Sequence, residues 1–127
     1  VSGFVEHGES VERAAAREVL EETGVVAASA ELVASQPWPC GRGASCEVML
    51  AVFARAAPGA EAIDVHGHGQ AGGGELEEAR WFDRPAVTKI LSTPPGGKDI
   101  WVPAAFAAAH HLLAGWQQGS ARVPSLP

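Results

Sequence analysis

Three glutamates, Glu18, Glu21 and Glu22, stand within five positions of one another in the stretch REVLEETGV, with Arg17 immediately before them. On a helix, residues three and four apart share a face, so these carboxylates converge on one side. Like charges at that spacing cost a few tenths of a kcal/mol per pair, about 0.2–0.5, and are tolerated where a counter-ion is captured. Carboxylates are hard oxygen donors, the ligand type suited to Mg²⁺ and Mn²⁺. Taken alone, the cluster leaves a second reading open: a solvated acidic face partly neutralised by Arg13 and Arg17.

The element that must present these groups is a helix over about Glu9 to Thr23. Ser10 is its N-cap, helix formers fill its length, and Gly24 stands where a helix commonly ends in the left-handed conformation. Val11, Ala15 with Ala14, and Val19 form the apolar stripe expected to face inward. Short β-like pieces follow at Val25 to Ala27 and Glu31 to Ser35. A stronger run, Val48 to Phe53, reads as a strand buried on both faces, in a sheet with helices on both sides. Residues 57–74 hold six glycines and one proline, and read as a surface loop with a short strand near Ile63 to Val65. ELEEARWF leads into a further short strand. Asp83-Arg84-Pro85 opens a helix through about Leu91, and Pro103 opens a last helix with Phe106, Ala109, Leu113 and Trp116 as its stripe.

Whole-chain properties narrow the class. With 127 residues and 46% hydrophobic content the chain has room for one single-core domain. The net charge of −6 and the lack of a basic stripe argue against a duplex nucleic acid partner. No apolar run nears the roughly 20 residues that span a bilayer, so no membrane partner is expected. Cys40 and Cys46 match neither a CxxC pair nor half of a zinc site, and read as free thiols.

From Gly3 the sequence runs glycine, five residues, Glu9, seven residues, Arg17-Glu18-Val19, one residue, Glu21-Glu22, one residue, Gly24-Val25. This resembles the Nudix box at all nine fixed positions over 23 residues. Resemblance to the Nudix hydrolases implies an α/β fold, an α/β/α sandwich with a mixed sheet. It also implies hydrolysis of a nucleoside diphosphate linked to another group, with Mg²⁺ or Mn²⁺ as cofactor. Carried over by position, Glu18 and Glu22 are the main metal ligands. Glu21 is a further ligand or the group that helps activate water, and Arg17 orients the glutamates by ion pairing.

Ten residues after the box, SQPWP at Ser35 to Pro39 resembles the signature of the NADH pyrophosphatase subfamily. The resemblance implies substrate contacts from Ser35, Gln36 and Trp38. Cys40 then replaces the usual phenylalanine, Gly41 the second proline, and Ser45 comes about two residues late. The lost phenylalanine is one expected to stack on a base ring, and Trp38 is placed to compensate. ELEEARWF resembles the segment carrying another metal-binding glutamate, Glu75 by alignment on Trp81 with Glu78 second. WVPAAFAAAHHLLAGW resembles the closing helix near the substrate, with Ala109 as a contact. His110 and His111 read as surface or core residues, His66 and His68 as part of a flexible loop, and His7 as a candidate phosphate contact.

The expected organisation is a Nudix domain over 1–117, matching the family from its box onward and truncated at its N-terminus, with a disordered tail over 118–127. The family places strands before the box, and the subfamily adds an upstream zinc ribbon not present in this chain. A chain lacking those strands is expected to fold poorly or be inactive by itself. The expected reaction is cleavage of NADH or a related dinucleotide to a mononucleotide and AMP. Partners are the dinucleotide substrate, an NAD-capped RNA end and a second copy in a homodimer. The alternatives are action on another nucleoside diphosphate derivative such as ADP-ribose, or non-catalytic dinucleotide binding. The expected location is intracellular, with the mitochondrion ahead of the peroxisome because Ser125-Leu126-Pro127 is a poor SKL signal.

Overall fold

A computed structural model of the chain describes residues 1–39, 41, 43, 45–65, 76–94, 100 and 102–119. Along them run helix α1 (Val11–Thr23), strands β1 (Ala27–Trp38) and β2 (Glu47–Ala56), and helices α2 (Arg84–Leu91) and α3 (Ala108–Gln117). The fold is α/β as expected, and β1 and β2 pair in a two-stranded sheet. Of the sequence expectations, Cys40, Glu75, His66, His68 and the tail beyond residue 119 lie outside the described residues.

α1 begins where the chain supplies a cap. The Ser10 hydroxyl accepts from the Arg13 amide, and the Ser10 carbonyl takes the Ala14 amide at 2.9 Å. It ends at Gly24, whose φ of 72° lies in the left-handed region and whose amide reaches the Leu20 carbonyl. Thr23 completes the stop. Its hydroxyl donates back to the Val19 carbonyl at 2.6 Å and accepts from the Val25 amide. Its carbonyl takes the Asp64 amide at 2.8 Å, tying the 57–65 segment to the helix end. That segment is irregular, not the short strand expected at Ile63 to Val65, and Trp81 holds it by donating its indole N–H to the Glu61 carbonyl.

The buried side of α1 carries Ala14, Glu22 and Thr23, while Val11, Ala15 and Val19 are only half-buried. Of the expected stripe, Ala14 alone is fully buried, and the buried side continues through Glu22 instead of Val19. Ala14, Glu18 and Glu22 recur at i, i+4 and i+8, and the backbone of Ser2 and Gly3 lies against this face.

β1 is one twelve-residue strand, where the sequence suggested two short pieces. The run has no glycine, and its one breaker, Pro37, stands next to its C-terminal end, so pairing with β2 carries the strand up to there. β2 differs more sharply from expectation: Ala51 is its buried residue, while Val48 is 64% exposed and Met49 and Leu50 are exposed too. A continuous apolar run signals burial on both faces only where layers cover both faces. In a two-stranded sheet every strand is an edge. ELEEARWF likewise leads into irregular chain, with no strand assigned at Trp81 and Phe82.

The chain divides into two compact units. The first comprises Val1–Leu32 with Val52–Trp81, the second Val33–Ala51 with Phe82–Pro127. The second contains α2, capped by Asp83 on the Ala86 amide with Pro85 at the start, and α3 packed against it. α3 begins five residues after Pro103 because residues 104–107 form a turn, with the Ala107 amide on the Ala104 carbonyl. Its buried residues are Ala108 and Gly115, not the expected stripe of Phe106, Ala109, Leu113 and Trp116. Small residues allow close helix approach, and Trp116 is drawn outward by a cation: the Arg84 guanidinium lies 4.8 Å from its ring centroid. Arg84 also donates to the Trp116 and Gln117 carbonyls, closing the C-terminal end of α3.

Candidate active site

In the first unit, Arg17 gathers the acidic residues. Its Nε donates to Glu9 Oε1 at 3.1 Å and its Nη2 to Glu9 Oε2 at 3.0 Å, a bidentate pair. Its Nη1 donates to Glu18 Oε1 at 2.8 Å and Glu21 Oε2 at 3.2 Å, and its Nη2 also to the Phe4 carbonyl at 2.9 Å. A guanidinium has five N–H donors, and here all five are used. The bonds from Glu9, then Glu18, raise the Arg17 pKa above its ordinary value, and the bond to Arg17 holds the Glu9 carboxyl below the usual glutamate range.

Glu9 also shapes the loop before the helix. Its Oε2 accepts from the Glu6 amide at 3.2 Å, and its own amide donates to the Glu6 carbonyl. Gly8 supports this turn at φ 81°. His7 sits exposed in the same turn. Nearer the chain start, the Glu18 carboxylate fills the space above Gly3 so closely that a Cβ there would lie 1.8 Å from Glu18 Cδ.

Glu22 is different. The residue is 7% exposed, and one carboxylate oxygen accepts from the Ser2 amide at 3.2 Å. Among the described residues no cation pairs with it. A buried carboxylate with a single neutral donor is under-compensated. Carboxylates are hard oxygen donors, so Glu22 with Glu18 would suit a hard divalent ion, which would supply the missing charge. Among the described residues, however, no group of three or more His, Cys, Asp or Glu is gathered as a ligand cage. Glu78 lies at the surface, 3.7 Å from Arg80 Nε, and His7 is exposed.

The residues expected to meet substrate are placed in the second unit. Gln36 spends both ends of its amide on the entry to α3: Nε2 donates to the Phe106 carbonyl at 2.6 Å, and Oε1 accepts from the Ala108 amide at 2.8 Å. α3 has no side-chain cap of its own residues at Ala107, so Gln36 acts as one from outside. Trp38, two residues on and on the same side of β1, stacks on Phe106 with ring centroids 6.2 Å apart. Ser35 falls on the opposite, exposed side of the strand, and Ala109 is exposed in the first turn of α3. His110 Nδ1 lies 3.0 Å from the Pro103 carbonyl, and His111 is half-buried. Cys46 is a free, exposed thiol.

Sequence reasoning assigned no role to Glu9 or Phe106. Glu9 precedes the helix, so helical periodicity does not connect it to Arg17; the fixed seven-residue gap of the box was the available signal. The spacing places Phe106 in the apolar stripe of the last helix, whereas α3 starts two residues after it.

The model of the NUDIX domain matches residues 1–101. Human NAD-capped RNA hydrolase NUDT12 is 35% identical over 91% of the chain and 22% of its own length. The human mitochondrial NAD(P)H pyrophosphatase NUDT13 is 34% identical over 91% of the chain and 32% of its own length. The chloroplastic Nudix hydrolase 19 of Arabidopsis thaliana is 30% identical over 91% of the chain and 33% of its own length. The chain thus spans a third or less of the length of these relatives. With a domain match over most of its residues and Glu9, Glu18 and Glu21 of the box gathered around Arg17, the chain belongs to the NUDIX family.

Proposed function

We propose that the chain carries the diphosphate-cleaving centre of a metal-dependent hydrolase for NADH- or NAD-type dinucleotides, yielding AMP and a nicotinamide mononucleotide. The observation that carries this reading is the contrast between Glu18 and Glu21, held by Arg17, and the buried Glu22 with no cation among the described residues. Relatives named for NAD(P)H pyrophosphatase and NAD-capped RNA hydrolase activity support the substrate class, and an NAD-capped RNA end presents the same diphosphate.

Glu18 and Glu22 would hold Mg²⁺ or Mn²⁺, with Glu75 as a further ligand, and the ion would supply charge neutralisation at the diphosphate and a lowered pKa for the attacking water. Arg17 fixes Glu18 and one oxygen of Glu21 while leaving Glu21 Oε1 free of hydrogen bonds among the described residues. Glu21 is about one-third exposed at its side chain, and Oε1 is the atom that accepts the proton of water. Ser35, Gln36, Trp38 and Ala109 belong to the substrate side, and the human relative named mitochondrial favours that compartment.

The test is release of AMP from NADH, NAD⁺ and ADP-ribose with Mg²⁺ or Mn²⁺, on the 127-residue chain and on the longest natural chain containing it, beside Glu22→Gln. Metal-dependent cleavage favouring NADH and abolished by the substitution is expected. Folded protein that cleaves none of the three would return the chain to dinucleotide binding without catalysis.

Action on ADP-ribose is the second reading, favoured by the turn after Trp38. Gly41 donates to the Ser45 carbonyl at 3.0 Å, and a Cβ at Gly41 would lie 2.5 Å from both Ser45 Oγ and Glu47 Oε1. This turn admits glycine where the subfamily signature has proline. Preference for ADP-ribose over NADH in the same assay selects this reading.

A further inference from the structure

Phe106 is a large apolar residue held open to water at 63% exposure. Single exposed apolar residues are ordinary, but this one is fixed from three directions. Its ring stacks on Trp38 with planes inclined by 22°. Its carbonyl receives Gln36 Nε2 at 2.6 Å, and the same amide takes the Ala108 N–H at 2.8 Å. The turn that carries it closes through the Ala107 amide on the Ala104 carbonyl. An aromatic face that is both exposed and immobilised loses little freedom when a flat ring settles on it. Every nucleobase has such a face, and stacking on an aromatic side chain tolerates differences among bases.

We propose that the exposed ring of Phe106 is a stacking surface for the base of a nucleotide, with Trp38 as its support. Gln36 is on this same side as a positioning residue, with both ends of its amide engaged in setting Phe106. This deepens the dinucleotide reading above and rests on it, since that substrate brings two ring systems to the protein.

Calorimetric titration with AMP, nicotinamide mononucleotide and ribose 5-phosphate tests the proposal on the wild type and on Phe106→Ala, Phe106→Leu and Phe106→Trp, with circular dichroism as the folding control. The expected result is about tenfold weaker binding of at least one mononucleotide by the Ala and Leu variants. Phe106→Trp keeps the affinity, and ribose 5-phosphate, which has no base, is unaffected throughout. Gln36→Ala weakens the mononucleotide in the wild type and adds nothing in the Phe106→Ala background, as a group acting through Phe106 must. The proposal is overturned if the folded wild type binds neither mononucleotide, if Phe106→Leu binds like the wild type, or if ribose 5-phosphate falls in parallel. AMP release from NADH separates the two readings: base binding through Phe106 without cleavage sinks the hydrolase alone, and cleavage with unchanged base affinity in Phe106→Ala sinks the stacking surface alone.

Discussion

A methyl group at position 3 competes for space with the Glu18 carboxylate, because a Cβ there falls 1.8 Å from Glu18 Cδ. The carboxylate is the far end of a flexible side chain, so the conflict is relieved by moving it off Arg17. Gly3→Ala is therefore expected to lower metal-dependent turnover about 10–100-fold while changing stability by about 1 kcal/mol or less; parallel assays of AMP release and thermal unfolding check this. Arg17→Lys replaces five fixed donors with three on a flexible stem. It leaves part of the Glu9, Glu18 and Glu21 set unheld and should cost turnover by a similar factor. A third consequence concerns pH. Glu9 has its pKa depressed by Arg17, so its contribution to stability is complete above the ordinary glutamate range and is lost as pH falls through the depressed value. Glu9→Gln should remove that acid-side loss from a curve of unfolding midpoint against pH; an unchanged curve would dismiss the role given to the pair. At this scale Glu18, Glu21 and Glu22 were legible as neighbours on a helix from spacing alone. Gly3 and Glu9 were legible only through the family motif, since their contacts cross from loop to helix.

Helix α1 presents this constellation, and its two ends are the places where single changes loosen it. Ser10→Ala removes the hydroxyl that accepts the Arg13 amide at 3.3 Å and should cost about 1 kcal/mol. Gly24→Ala forces a side chain into φ 72° and should cost about 1–2 kcal/mol. Both are read from urea midpoints at constant slope. Caps were visible in the sequence because they depend on one or two adjacent residues, which is why Ser10, Gly24 and the Asp83-Arg84-Pro85 start of α2 were placed well. Faces were not. Of the stripe Val11, Ala14, Ala15 and Val19 the helix buries only Ala14, and it buries Glu22 besides, because a backbone loop rather than an apolar layer covers that side. α3 repeats the lesson: Phe106 and Trp116 have partners at the surface, Trp38 and Arg84, that no periodicity announces.

Across both units the buried apolar residues among those described are small: Ala14, Val25, Ala51, Val87, Ala107 and Ala108, with no large side chain fully buried. Alanine contributes little apolar area, and hydrophobic stabilisation scales with area removed from water. Val48, Met49 and Leu50 of β2 are exposed in succession, along with Phe4 and Trp81. This explains why the Nudix motif could be read so fully while the sheet could not. A motif is written in neighbouring residues, whereas strand burial depends on what lies over the strand. The physical consequence, among the described residues, is little buried apolar area and an apolar strand surface open to water. The 127-residue chain by itself is expected to bind the dye ANS at neutral pH without denaturant and to sediment as a concentration-dependent mixture. Val48→Lys combined with Leu50→Lys should lower both signals, because lysine on an exposed strand opposes edge pairing. A monomer at all concentrations that leaves ANS fluorescence unchanged would mean that β2 is covered in solution and that its apolar run is a core strand after all.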